Sequence, residues 1–431
     1  ECNSCRNRRA SGQCGCGRRA EDRLVSRVRN SALRPFARIF AADAIVRTAY
    51  QMGKTPVLPL FAAILGASDI LLGLVVSVST LTGIIVKPIV GFLSDRQGRR
   101  LWLLISAGLF IIMPFAYLLV STPGELFALR LVHGLATAIF GPVSLALVAE
   151  MAGEGRATRL GVFGLARSVG YLLAPVSAAF LLTHMSPQLL FMLTGIIAAI
   201  ALVPLLALER GSTARSSAHA GDDHSLRYLY VSFAAALNSA SRRPAIWVAG
   251  SLEMMVNMAA YAVKAFLPLH ILAASQSGHA LILAGLFFSV QEGAHMLMRT
   301  PGGMVADRYG RLTVIGVGVL VMAGGLFALP WLQGDMVILG AVALGAAQGL
   351  VFPASLAFVA DQSAQGMGTG MGLYGAMRNL GKVLGPVIGG IIMTVGSFDD
   401  VLVSAGSLLL GLAGLLVVIA TVRRTRRTVR L

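Results

Sequence analysis

Gly91-Phe92-Leu93-Ser94-Asp95-Arg96-Gln97-Gly98-Arg99-Arg100 stands between two long apolar runs. Its pattern returns far downstream as Gly303-Met304-Val305-Ala306-Asp307-Arg308-Tyr309-Gly310-Arg311, again between two apolar runs. A helix that crosses a bilayer ends where charge begins, and both copies put glycine, aspartate and arginine at such an end. Gly91, Gly98, Gly303 and Gly310 permit tight turns and close backbone approach. Asp95 with Arg96 and Arg99, and Asp307 with Arg308 and Arg311, can form charge-assisted hydrogen bonds that clasp neighbouring helix ends. One copy would mark only a polar turn; two copies in equivalent contexts point to a duplicated architecture.

The composition around this stretch agrees. Of 431 residues, 56% are apolar and 13% charged, which is too apolar and too sparsely charged for a soluble domain. The formal charge of +17 does not point to nucleic acid. The arginines gather at the ends of apolar runs and at the termini, as topology determinants do, rather than along a phosphate-binding stripe. All the cysteines lie in the first stretch, as Cys2, Cys5, Cys14 and Cys16. Such spacing can bind zinc, but no histidine stands near it and no apolar pattern surrounds it, so no metal site and no cofactor are read there. The chain begins at Glu1 and its first methionine, Met52, falls inside an apolar run. Residues 1–38 are therefore expected to be a disordered cytoplasmic segment, with the first two dozen either disordered or read from upstream of the true start. It lacks the apolar core of a signal peptide.

Twelve apolar segments of bilayer-spanning length follow. Their cores are Ala42–Ile64, Ile70–Phe92, Leu101–Val120, Leu126–Val148, Leu160–Leu182 and Leu189–Leu208, then Ile246–His270, Leu281–Val305, Leu312–Trp331, Met336–Val359, Met371–Val395 and Val401–Val422. This predicts an all-α membrane protein: a first six-helix bundle over residues 39–208, a linker over 209–244, a second bundle over 245–422 and a basic tail over 423–431. Within the linker, Leu226–Leu237 reads either as an interfacial helix or as irregular chain. Among the loops, the second, fourth, sixth and eighth hold arginine, as does the tail, while those around Ser68, Thr122, Met185, Ser277, Gln333 and Asp399 carry neither lysine nor arginine. By the positive-inside rule both termini are cytoplasmic, in a multi-pass protein of the cell's inner (plasma) membrane.

The two halves repeat in register. Asp95 and Asp307 are 212 positions apart. The pairs Pro142/Pro353, Ser144/Ser355, Glu150/Asp361, Arg167/Arg378 and Pro175/Pro386 are each separated by 211. Such a register implies two pseudo-symmetric six-helix halves related by an axis along the membrane normal. Glu150 and Asp361, at equivalent helix ends, are expected to complete the two arginine clasps.

The doubled loop resembles the signature loop of the major facilitator superfamily of transporters. Other stretches are similar to elements of that family. Arg130-Leu131-Val132-His133-Gly134 resembles its Arg-x-x-x-Gly motif on the fourth helix, although the second half has Ala341 in place of the arginine. Gly381-Lys382-Val383-Leu384-Gly385-Pro386-Val387-Ile388-Gly389-Gly390 resembles the Gly-x-x-x-Gly-Pro-x-x-Gly-Gly element of proton-coupled antiporters. In the family that element lies on the fifth helix; here the full copy is on the eleventh, where the spacing also reads as plain helix packing. Pro56-Val57-Leu58-Pro59 is similar to a short element of twelve-helix drug exporters. The resemblance implies a transporter rather than an enzyme, with the loop clusters acting as a cytoplasmic gate and charge relay.

Charges inside a bilayer are costly and mark candidate sites. Asp43, Arg47, Tyr50 and Lys54 share one face of the first helix, and Glu253, Asn257, Tyr261 and Lys264 share one face of the seventh. Acid, polar residue, tyrosine and lysine recur in the same order, so the two faces are expected to be opposite walls of a central cavity, with Arg130 and Arg378 adding donors. The alternative is local pairing such as Asp43 with Arg47, for structure only. Glu292, His295 and Arg299 share a face of the eighth helix, with Glu292 near the midplane. Glu292, then Glu253, then Asp43 are the candidates for proton coupling, with His295 either a relay member or a packing residue. Lys54, Lys87, Lys264 and Lys382 are all the lysines of the chain, and all lie in membrane segments.

These observations lead to a monomeric secondary transporter working by alternating access, with a small-molecule substrate, the lipid bilayer and the proton as its partners. Export of a small organic or amphipathic molecule is expected. Two ammonium groups in one cavity favour an anionic or zwitterionic substrate, with Glu253 or Glu292 lying between the lysines when the site is empty. Uptake of an anionic metabolite and a non-transporting receptor are the alternatives.

Overall fold

A computed structural model of the chain describes residues 15–151, 156–208, 238, 244–274, 278–362 and 367–428, and all regular structure among them is helical. The first half comprises α1 (Gly15–Lys54), α2 (Val57–Ile64), α3 (Asp69–Gln97), α4 (Arg99–Ala116), α5 (Pro123–Met151), α6 (Arg156–Leu182), α7 (Pro187–Ile200) and α8 (Leu202–Leu206). The second comprises α9 (Pro244–Ala274), α10 (Gly278–Tyr309), α11 (Arg311–Ala328), α12 (Val337–Gln362), α13 (Met367–Met393) and α14 (Phe398–Thr428). Nine spans among the described residues are long and apolar enough to cross a membrane. The three other expected crossings are α1 with α2, the glycine- and charge-diluted α13, and α14. Together they make an all-α membrane protein of twelve crossings.

The structure departs from the sequence reading at the first crossing. Instead of one helix over Ala42–Ile64, α1 ends at Lys54 and α2 begins at Val57. Pro56 between them has no N–H to continue the ladder. In addition, α1 starts at Gly15, so the stretch expected to be disordered is helical from that residue onward. Residues 1–14 and the segment 226–237 lie outside the described ones.

The two signature loops fold alike for a local reason. Gly98 and Gly310 each adopt φ 93°, a conformation that a side chain at Cβ disfavours. The Gly98 N–H donates to the Ser94 carbonyl at 3.1 Å, and the Gly310 N–H to the Ala306 carbonyl at 3.1 Å. Each glycine therefore ends one crossing and starts the next within one residue.

Small residues then set the packing. Between α9 and α13, a Cβ added at Gly381 or Gly385 would strike the Met254 or Met258 carbonyl. The Gly381/Gly385/Gly389 repeat is thus a helix-packing face. Large apolar side chains such as Ile112, Val203, Leu297 and Leu339 stand exposed on the outside, a surface suited to lipid rather than water.

The halves meet at one face and part at the other. At the face away from the arginine loops, Gly73 of α3 lies against the Pro386 backbone of α13, and Gly390 lies against Asp69. The Ser77 hydroxyl donates to the Val383 carbonyl at 2.9 Å. Gly285 of α10 lies against Ala179 and the Pro175 carbonyl of α6, and the Val176 N–H donates to the Ser289 hydroxyl at 3.2 Å. An apolar cluster including Phe61, Val75 and Ala178 of the first half and Val256, Phe266 and Phe287 of the second is continuous across this seam. Two further clusters lie one within each half. Gly91, Gly161, Gly164, Gly372 and Gly375, at that end of α3, α6 and α13, face open space. Among the described residues, the contacts named between the halves lie on the side away from the arginine loops.

Candidate functional site

The acid of each half is held in an equivalent way. Asp43 is fully buried; its Oδ2 lies 3.5 Å from Arg47 Nε and 3.4 Å from Arg167 Nε, and its Oδ1 accepts from the Ser144 hydroxyl at 3.3 Å. Glu253 is also buried, with Oε1 3.2 Å from Arg378 Nε and accepting from Asn257 Nδ2 at 3.0 Å. The Asp43–Arg47 pair weighed from the sequence is present, but Arg167 joins it from α6. In both halves the first helix supplies the acid and the fifth supplies the arginine. The 211-residue offset between Arg167 and Arg378 was the signal for this.

The expected opposite walls come together at one ring. Lys54 Nζ of α1 lies 5.6 Å from the Tyr261 ring centroid of α9, across the seam between the halves. Lys264 Nζ lies 5.2 Å and Lys382 Nζ 5.5 Å from the same centroid. Lys54 also lies 5.8 Å from the Tyr50 ring. Each ammonium–ring contact contributes about 0.5–2 kcal/mol. Two ammonium groups about 8 Å apart repel by roughly 2 kcal/mol at an effective dielectric constant of about 20, so the cluster favours an anion among its members. Lys87 of α3 adds a further ammonium, within the field of Arg47 and Arg167.

The sequence reading placed Glu253 or Glu292 between Lys54 and Lys264. The structure does not. Glu253 is engaged by Arg378 and Asn257, and Glu292 Oε1 lies 3.5 Å from His295 Nδ1. Among the described residues no carboxylate is within ion-pair distance of Lys54, Lys264 or Lys382. His295 also meets Arg299 of the same helix. Arg299 Nε donates to its Nε2 at 3.4 Å, which leaves the ring proton on Nδ1, facing Glu292.

Arg130 is also placed differently. It is buried inside the first half, donating to the Tyr117 hydroxyl at 3.3 Å and to the Tyr50 hydroxyl at 3.3 Å. It stands behind Tyr50 and reaches the inter-half space only through that side chain.

At the arginine loops, one arginine of each copy is the hub. Arg99 pairs with Asp95, donates from Nη2 at 2.8 Å and Nε at 3.1 Å to Glu150 Oε1, and donates to the Ser94 hydroxyl at 2.7 Å. Arg311 pairs with Asp361 and donates to the Ala357 carbonyl, with Asp307 at 3.9 Å. Arg96 and Arg308 are exposed beside these hubs. Each clasp ties three helices of its own half. Gly91 faces open space, and a Cβ added at Gly303 would meet the Pro353 side chain at 3.9 Å.

Two pseudo-equivalent six-helix halves, paired loop clasps and a charged seam converge with the sequence comparison. The model of the Major Facilitator Superfamily matches residues 44–298 and 254–430. The chain belongs to this superfamily. Its sequence is 25% identical over 326 residues to the uncharacterized MFS-type transporter YuxJ of Bacillus subtilis, covering 74% of this chain and 80% of that one. It is 26% identical over 366 residues to the multidrug resistance protein MdtG of Klebsiella pneumoniae, covering 82% and 86%. The quinolone resistance protein NorA of Staphylococcus aureus is 27% identical over 161 residues, 37% of this chain and 42% of that protein. Among solved structures, the nucleoside transporter NupG (D323A mutant) matches with a TM-score of 0.76 at 14% identity, over 89% of this chain and 99% of that one. A bacterial homologue of the human lysosomal transporter Spinster, solved inward-facing and unoccupied, matches at 0.69 with 15% identity, over 90% and 96%. As a superfamily member the protein is a multi-pass membrane transporter of a small molecule.

Proposed function

We propose that this transporter carries a small organic anion or zwitterion across the cell's inner (plasma) membrane by alternating access, as a monomer, and exports it in exchange for protons. The observation that carries this reading is the gathering of Lys54, Lys264 and Lys382 around Tyr261 with no carboxylate paired to any of them. The loop arginines support a cytoplasmic assignment for the open face, so the conformation described is the one that loads substrate from the cytoplasm. The names of the relatives MdtG and NorA, both resistance proteins, support export over uptake.

Coupling is assigned to Glu292, with Glu253 second and Asp43 third. Lys264 contributes to the field at Glu292. A bound anion that draws this ammonium toward itself weakens the hold on the Glu292 carboxylate, which then takes a proton. His295, with its proton on the nitrogen nearer Glu292, is placed to relay it.

The test is flux in proteoliposomes with an imposed pH gradient. An aromatic carboxylate should be carried in preference to a matched aromatic ammonium, and Lys54→Ala with Lys264→Ala should lower that flux about tenfold or more, a change worth about 1.4 kcal/mol. Preference for the ammonium, unchanged in the double variant, overturns the anionic reading. Glu292→Gln should abolish pH-driven flux while leaving substrate exchange. Persistence of pH-driven flux in both Glu292→Gln and Glu253→Gln overturns proton coupling through these residues.

A further inference from the structure

The lysine cluster gathers more amino groups than one acidic group requires. Lys54 and Lys264 are pseudo-equivalent, one from each half, and a single carboxylate between them would answer both. Lys382 is an addition. The 211-residue offset puts Tyr171 at the matching place in the first half, so the third ammonium comes from α13 alone. All three surround the same ring, which limits any two of them to a separation of about 11 Å. None of the described membrane-embedded acids pairs directly with them: Asp43 is held by Arg47 and Arg167, Glu253 by Arg378 and Asn257, and Glu292 lies against His295, with Lys264 acting on it only through the longer-range field.

We propose that the substrate is an organic dianion, with one acidic group between Lys54 and Lys264, the second negative charge at Lys382, and an apolar, planar part against Tyr261. This rests on the anionic reading above and narrows it. Two carboxylates on one small skeleton and a single phosphate monoester share this chemistry. In either case the substrate joins α1 of the first half to α9 and α13 of the second, so its charge bears on the seam along which the halves move.

Binding to the purified full-length chain in lipid nanodiscs tests this, with benzoate, isophthalate, phenyl phosphate and benzylammonium as probes. Isophthalate, phenyl phosphate or both should bind about tenfold or more tighter than benzoate; which one leads separates dicarboxylate from phosphate ester. Lys382→Gln should weaken both dianions more than it weakens benzoate, bringing that ratio to about one, and Lys382→Arg should restore the ratio and report that the fold is intact. Equal binding of benzoate and both dianions by the wild type, or a ratio unchanged in Lys382→Gln, overturns the dianion while leaving an anionic site in place. Binding of benzylammonium with none of any anion overturns the anionic reading itself.

Discussion

At the scale of single residues, the buried acids decide what the cations are free to do. Asp43 pairs with two arginines, Arg47 and Arg167, and Glu253 with one, Arg378. Removing one partner of a buried ion pair leaves an uncompensated charge and costs about 3–5 kcal/mol. Asp43→Asn should therefore lower the melting temperature of the purified protein more than Glu253→Gln does. Adding Arg167→Met to Asp43→Asn should recover part of the loss. Equal melting of wild type and Asp43→Asn would show that Asp43 carries no structural charge pairing. The acid and its i,i+4 arginine could be read on one helix face, because helical spacing is a property of the sequence. Arg167 could not be assigned, because its partner lies on another helix.

At the scale of elements, both signature loops use one glycine to turn and one arginine to clasp. Gly98 and Gly310 were legible, since a turn of one residue between two helices needs the freedom of glycine. Arg96 and Arg99 were not separable by motif alone. The structure separates them: Arg99 is buried between Asp95 and Glu150, while Arg96 is exposed on the Phe92 ring at 4.3 Å. Arg99→Met should lower transport about tenfold or more with the protein still inserted, because the end of α5 loses its tie to α3 and α4. Arg96→Met should lower transport less, since the contacts of an exposed charge are screened by solvent. Flux measured side by side in the same vesicles checks this, and equal losses in the two variants would remove the distinction.

At the scale of the whole molecule, the conformation is a balance between one seam that is closed and one that is open. The closed seam depends on glycines at points of backbone contact, Gly73 against Pro386 and Gly285 against Pro175 and Ala179. A side chain there forces the helices apart on the sealed face only. Gly285→Val should shift the population toward the state open on that face, by tenfold for each 1.4 kcal/mol of clash. Spin labels on α6 and α10 at that face should show longer distances in the variant, with the arginine-rich ends drawing together. An unchanged distance distribution would show that the seam tolerates the added volume without switching state.

The sequence by itself determined the twelve crossings, the duplication, the two loop clasps and the helix faces that carry charge. Each of these follows from spacing along the chain: apolar length against bilayer thickness, and recurrence every three or four residues on a helix. Tertiary structure alone decided which charges are already satisfied. Glu253 and Glu292 were legible as embedded acids, yet Arg378 and His295 engage them and leave the lysines unanswered. Lys382 was legible as a lysine inside the membrane, but its place at Tyr261 depends on how α13 packs against α9 through Gly381 and Gly385. Pairing between helices depends on rotation and crossing of packed surfaces, which the order of residues along one helix does not specify.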